Sequence, residues 1–560
     1  MNRDGRYRDQ LAFLEEAGAR LANTAPRVAG RLAGRTKDPD VELLLEGLAY
    51  LNGLIDARLD NELPTLLRLI ADAFFPDFLA PVPAATVVQL ESPTIATLPR
   101  GLVLASPPIE DTACRFRSCF EVDVGPARLS KVDWRPARGE VQLSLRFESA
   151  PPKEPDRWRF FLGQDLSSGT VLYHALSART LSIELLDASG QVVGPLPEAK
   201  VVPLGLAAED ALLPVEDAPH RLSLLKEYFA LPQKLLFVEL QGVEAGRRRL
   251  GVTGPNFGLR LRLGLEAAPD LHLSSSNFAL GCTPAINVFE YSADPVRRRP
   301  LQSSIPVRPT GPLGHFDVYR VLNVRGHSDK VGWVDYPLPT QLDLERPGGF
   351  VRVAQVAEGP EGLSLLLGDA DPEHRAQEEI IHVELLATNG RLAQLLRLGE
   401  LSLVEGAAAN LRANNLVPVS PPGAAPKGDA RRRAVVEHLA LSRRSLLEKE
   451  ALREALALYN FHRPLDAPAT RESEALHALQ VRDWSTTYRG DPVRGLDLEL
   501  VLDDDAFNGE PELYLFASVL DEILAMDAGI NLVSRLTVEA LRTKRRQRWP
   551  RRLGRQTIPG

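Results

Sequence analysis

Cysteine is nearly absent from this sequence: three in 560 residues, at Cys114, Cys119 and Cys282. So odd and sparse a set cannot build the disulfide framework of a small secreted domain, and a reducing cytoplasm is the compartment it fits. Long apolar runs are missing too. No stretch approaches the ~18 residues that would cross a bilayer. The opening MNRDGRYRDQLAFLEEAGARLA carries charges every few positions, where a signal peptide needs an unbroken apolar segment. Any work at a membrane is therefore expected to run through partners.

An excess of positive charge is also lacking. With 66 basic and 74 acidic residues the formal net charge is −8, so the chain as a whole has no attraction for nucleic acid or an anionic membrane. Local signatures of chemistry are missing as well: no G-x-x-x-x-G-K-[ST] phosphate loop, no G-x-G-x-x-G turn, no H-E-x-x-H pair and no G-x-S-x-G elbow. In a chain long enough for about three or four domains, this points to a protein that is not an enzyme and carries no cofactor or metal.

What is present is an ordinary globular balance, 44% hydrophobic and 25% charged. Residues 1–84 read as a helical region. After Asp38 at an N-cap and Pro39 at the first helical position, Val41, Leu44, Leu48, Leu51, Ile55 and Leu59 recur at spacings of three and four. A second stripe follows through Leu63, Leu66, Leu67, Ile70 and Phe74, ended by Pro76.

From about residue 85 the period shifts to two. Val141, Leu143, Leu145 and Phe147 alternate with Gln142, Ser144 and Arg146, and Leu259, Leu261 and Leu263 with Arg260 and Arg262. Leu181, Ile183 and Leu185, and Leu236, Val238 and Leu240, repeat the pattern, with a helix intruding around Val171–Leu176. The spans 85–265 and 266–417 are therefore expected as two antiparallel β-rich modules. PVSPPGAAPKGDA at 418–430 reads as a linker or long loop. The remainder, 431–560, reads as an α+β unit with helices through Leu446–Tyr459 and Leu513–Leu524 and strands at Leu496–Leu502 and Leu532–Leu541. The fold class expected is multi-domain α+β.

Side chains that could carry chemistry have plainer readings beside them. Cys114 and Cys119 lack a second pair at zinc-ligand spacing and read as small buried hydrophobes in a strand. His315, His327, His374 and His382 are scattered. Asp503, Asp504 and Asp505 are the densest carboxylate cluster, but DDDAFNGEPE lacks the alternating ligands of a calcium loop and reads as a solvated turn. A metal-dependent hydrolase on that cluster is the enzyme alternative.

The last feature is a basic run. Arg542, Lys544, Arg545, Arg546, Arg548, Arg551, Arg552 and Arg555 fall within fourteen residues. Docking on an acidic protein surface, phosphate contacts to nucleic acid and a solvated tail all remain open. Trp549 argues against a floppy segment.

Several stretches together resemble the TssF family of type VI secretion baseplate proteins. They are DPDVELLLEGLAYLNGLIDARLDNELPTLLRLIADAFFPDFLAPVPA (Asp38 to Ala84), CTPAINVFEYSADPV (Cys282 to Val296) with HFDVYRVLNVRG (His315 to Gly326), and YRGDPVRGLDLELVLDD, LYLFASVLDEI, INLVSRL and WPRRLGR towards the end. One departure is ATNGRLAQL (Ala387 to Leu395), where the family's Thr-Asn-Arg-Asp-Leu-Pro turn has lost its acidic residue and proline.

The resemblance implies a contractile, phage-tail-like injection system and a structural wedge role. The partners it implies are TssG (two TssF copies per TssG), a second TssF copy, the sheath initiator TssE, TssK and the spike hub, at the cytoplasmic face of the inner membrane. Two surfaces are expected to serve assembly. The apolar face carrying Val41, Leu48, Ile55, Leu66 and Phe74 is expected to be mostly core, its excess adding to pairing between copies; Arg545, Arg546, Arg548, Trp549, Arg551 and Arg552 form an exposed docking patch.

Overall fold

Alternation in the sequence becomes strand in the computed structural model. Val141, Leu143, Leu145 and Phe147 are buried while Gln142, Ser144 and Arg146 lie half-covered, so Glu140–Glu148 is a two-faced strand. It pairs antiparallel with Phe257–Leu263, Leu145 opposite Leu259, and both belong to a five-stranded sheet with Arg128–Ala137, Thr180–Leu186 and Val192–Pro195. Phe147 stacks on Phe257 across the pair, ring centroids 4.7 Å apart.

The structure describes residues 81–553 apart from 138, 152–153, 215–219, 266–270, 339–351, 360–361, 370–377, 405–409, 424–445, 461–470, 489–490 and 528–531; before residue 81 it describes 12–13 and 47–48. The chain divides into two compact units, Met1–Pro76 with Lys427–Leu441, and Asp77–Pro426 with Ser442–Gly560. In the first, Ala12, Phe13, Gly47 and Leu48 are helical and exposed. The rest of the helical region expected at 1–84, with Val41, Ile55, Leu66 and Phe74, lies outside the described residues, as does the second half of the linker.

The second unit is mostly β. The general α+β, multi-domain class holds, and its weight lies in several antiparallel sheets. The helix expected near Val171–Leu176 spans Leu166–Ala178, capped by Asp165, whose carboxylate accepts from the Ser168 N–H at 2.9 Å.

A six-stranded sheet runs in the order Leu403–Val404, Val103–Ile109, Thr112–Ser118, Cys282–Ile286, Ala85–Glu91, Arg412–Asn415. It therefore takes strands from both sides of the 265/266 boundary expected from the sequence. Long-range pairing decides this, and no local pattern signals it: Ala85 faces Ile286, and Val88 faces both Thr283 and Asn415. Beside this sheet two resemblance-bearing stretches meet. Asn287, fully buried, donates to the Arg115 carbonyl at 2.7 Å and to Asn389 Oδ1 at 2.9 Å, and its own Oδ1 accepts from the Asn389 N–H at 2.7 Å. Asn389 lies in the altered ATNGRLAQL stretch, so the altered turn is tied to the 282–296 stretch through its asparagine.

The C-terminal sheet runs Leu476–Tyr488, Asp491–Leu502, Leu532–Ala540, Arg546–Arg548, with Arg552–Leu553 also on the third strand. Its first two strands form a long antiparallel hairpin. The second and third are parallel, Leu498 beside Leu536, so the chain must cross over between them, and helix Glu510–Asp527 is that crossover.

Candidate interaction surfaces in the C-terminal unit

Phe516, Val519, Leu520, Ile523 and Leu524 of the 510–527 helix are all fully buried, as their spacing of three and four predicts. Leu498, Leu500, Leu502, Leu536 and Val538 are buried on one face of the sheet, together with Leu496, Ser534 and Ala540. Because side chains alternate along a strand, the odd-numbered residues of 491–502 and 532–540 look the other way. Among the described residues of that outer face, the side chains are half-buried or exposed, and only Gly495, which has none, is covered.

The structure separates the basic run into two groups. Arg546–Arg548 is a strand on 532–540, and the Trp549 N–H donates to the Leu536 carbonyl at 2.9 Å. Trp549 itself is buried: its Nε1 donates to Ser518 Oγ at 3.1 Å and its ring stacks on Tyr514 at 5.2 Å. Arg552 is bound to Asp521 and to Glu522 at the helix. These two residues clamp the chain end to the 510–527 helix, which corrects their expected place in an exposed patch. The physical reason is that an indole gains more from core contact than a solvated run of arginines can offer it.

The others remain at the surface. Arg545 pairs with Glu510 at 2.6 Å and Arg546 with Glu539 at 2.6 Å. Arg548 and Arg551 are exposed with no carboxylate beside them among the described residues, and the Arg551 guanidinium lies over the Trp484 ring, 5.1 Å from its centroid.

The acidic cluster is part of the same arrangement. Asp503 caps a short 3-10 turn by accepting from the Asp505 N–H at 3.2 Å, Asp504 accepts from the Arg542 N–H at 2.8 Å, and Arg542 Nε pairs with Asp505 at 2.8 Å. The three carboxylates join the turn to the start of the basic run. Cys114, Cys119 and Cys282 are buried free thiols, and burial pushes the first two up to about 11 and about 12, away from nucleophilic or ligating chemistry. His315 bonds Thr112 Oγ1 through Nδ1 at 2.7 Å; His327 and His382 flank the exposed Trp333; His374 lies outside the described residues.

One feature of the outer face escaped the sequence. Trp484 stands opposite Gly495, and a Cβ there would come within 2.1 Å of the indole, so the ring lies flat across the glycine. Beside it Arg535 grips Asp497 with two bonds, at 3.0 and 2.6 Å. The available signal was a tryptophan and a glycine at matching distances from the hairpin turn in WSTTYRGDPVRG.

The model of the TssF proteins of type VI secretion matches residues 4–556. The chain belongs to the TssF family. The type VI secretion system component TssF1 of Pseudomonas aeruginosa is 28% identical, with 98% of each chain covered. Among solved structures, a chain of a TssK-TssF-TssG baseplate subcomplex is 26% identical with a TM-score of 0.74, covering 93% of this chain and 100% of that one. A chain of a type VI baseplate complex shares the fold at 23% identity and a TM-score of 0.56, covering 99% and 100%. The TssF assignment thus spans both units and agrees with the resemblance in the sequence.

Proposed function

We propose that this chain is a structural subunit of a type VI secretion baseplate and acts by holding other subunits in place. The observation that carries the reading is a family match along nearly the whole chain, joined to a solved relative whose complex contains TssK and TssG. In the finer form of the reading, two copies engage one TssG, with further contacts to TssE, TssK and the spike hub, at the cytoplasmic face of the inner membrane. Attachment runs through those neighbours; among the described residues no helix is long and apolar enough to cross a bilayer. The mechanism is mechanical: interface energy holds the wedge closed, and spike engagement or docking at the membrane shifts it to a state that releases the sheath.

Of the candidate contact residues, Arg545, Arg546, Arg548 and Arg551 remain as a docking surface, joined by the apolar set Val41, Leu48, Ile55 and Phe74 for pairing of copies. Co-expression with the TssG and TssK homologues, followed by mass measurement of the purified complex, tests the reading. A complex with two copies of this chain per TssG is expected; a chain that stays alone beside both overturns it. Wedges of identical shape before and after firing would remove the switch.

A further inference from the structure

We infer that the outer face of the C-terminal sheet is a preformed docking site for an acidic protein surface of a different subunit. The inference rests on the assembly reading above and adds a location and a chemistry to it.

The register places the relevant side chains in rows across the sheet. Trp484 lies beside Gly495 and Val533; Arg482 beside Asp497 and Arg535; Glu499 beside Thr537 and Arg548; Val501 beside Glu539 and Arg546. Lys544 joins the last row through Glu539 at 3.5 Å, and Arg551 caps Trp484. Among the described residues this face therefore carries six basic side chains against three carboxylates, in a chain whose net charge is −8. Each of the three carboxylates is already held by a basic neighbour: Glu499 by Arg482 at 3.4 Å, Asp497 by Arg535 and Glu539 by Arg546, both at 2.6 Å. The surplus of three charges belongs to Arg548, Arg551 and Lys544, whose carboxylate neighbour Glu539 is already held by Arg546.

Three properties favour a protein partner. The backbone of the face is held by strand pairing and its middle by the bidentate Arg535–Asp497 pair, so the ordering cost on binding is reduced. A half-buried tryptophan lies flat at one end of it, beneath Arg551, and offers the kind of aromatic anchor that concentrates binding energy. The interleaved carboxylates would repel a phosphate backbone, whereas a protein surface of mixed sign and acidic excess can meet both charges and fix one register.

The test uses the full chain co-expressed with the other baseplate subunits. Arg548→Lys and Arg551→Lys keep the charge and supply amines for zero-length carbodiimide coupling, and mass spectrometry then reads the coupled carboxylate. Links to Asp or Glu of a different subunit are expected. Links to a second copy of this chain only, or no interchain link, overturn the inference, and so does binding abolished by nuclease.

The double variant Arg548→Glu with Arg551→Glu should retain the linked subunit about tenfold less at ~0.1 M salt, the difference shrinking by ~0.5 M. An unchanged melting curve separates this from misfolding. If the wild-type complex assembles and the charge reversals change nothing, the docking site is wrong while the baseplate reading stands. If the wild-type chain assembles with nothing, the baseplate reading fails first.

Discussion

Gly495 has no side chain because Trp484 occupies the space where a Cβ would go. Gly495→Ala should therefore displace the indole from Arg551 and cost about 1–3 kcal/mol, as overpacking does. A lowered urea midpoint checks this; an unchanged one would mean the ring moves aside freely. Two titrating residues bracket the 510–527 helix with opposite signs. Burial pushes Asp521 up to about 6, with Arg552 opposing. The folded state keeps this proton where the unfolded chain, at about 3.9, has lost it, so the residue's contribution falls as pH rises from about 4 through 6.

His174 is the reverse case. Burial holds it down to about 4, with Glu510 opposing, and its Nε2 has no hydrogen-bond partner. Its contribution is present above the unfolded value of about 6.5 and is lost as pH falls towards 4. Because the two slopes oppose each other, variants must separate them. Relative to Asp521→Asn, the wild-type melting temperature should rise as pH drops from 6 to 4; relative to His174→Gln it should fall. Parallel curves in either pair would remove that residue from the account.

At the scale of the element, the 510–527 helix is held by two devices. Its apolar stripe packs inward, a feature legible from Phe516, Val519, Leu520, Ile523 and Leu524 as a pattern. Its second restraint, the Trp549 and Arg552 clamp, comes from ~30 residues away, and the sequence presented those residues only as a basic run. Trp549→Ala should cost about 3–5 kcal/mol through the cavity it leaves, whereas Arg548→Ala should stay within about 0.5 kcal/mol. Chemical denaturation of the two variants side by side checks the division, and equal losses would refute it. One strand of the hairpin was readable from LDLELVL; its partner Leu476–Tyr488 was not, nor was the parallel pairing with 532–540, because a crossover leaves no local trace.

On the scale of the whole molecule, the six-stranded sheet joins residues 85–118 to 282–286 and 403–415. Asn287 and Asn389 reinforce that closure. Asn287→Ala leaves the Asn389 N–H and the Arg115 carbonyl without these bonds in a buried site, and a loss of about 1–3 kcal/mol is expected. Protease sensitivity near 389 should rise in step; a variant as resistant as wild type would argue against the tie.

Local pattern determined a good deal by itself. Period two named several strands, those around 141–147, 181–185, 236–240 and 259–263, period 3.6 named the crossover helix, and quoted stretches spread along the chain carried the TssF resemblance, since each depends on neighbours within a few residues. Tertiary structure alone decided which strands share a sheet, that Trp549 is core, and that Trp484, Arg535 and Arg551 stand on one face. Those outcomes depend on pairing between distant segments, and burial is a property of what arrives from elsewhere in the chain.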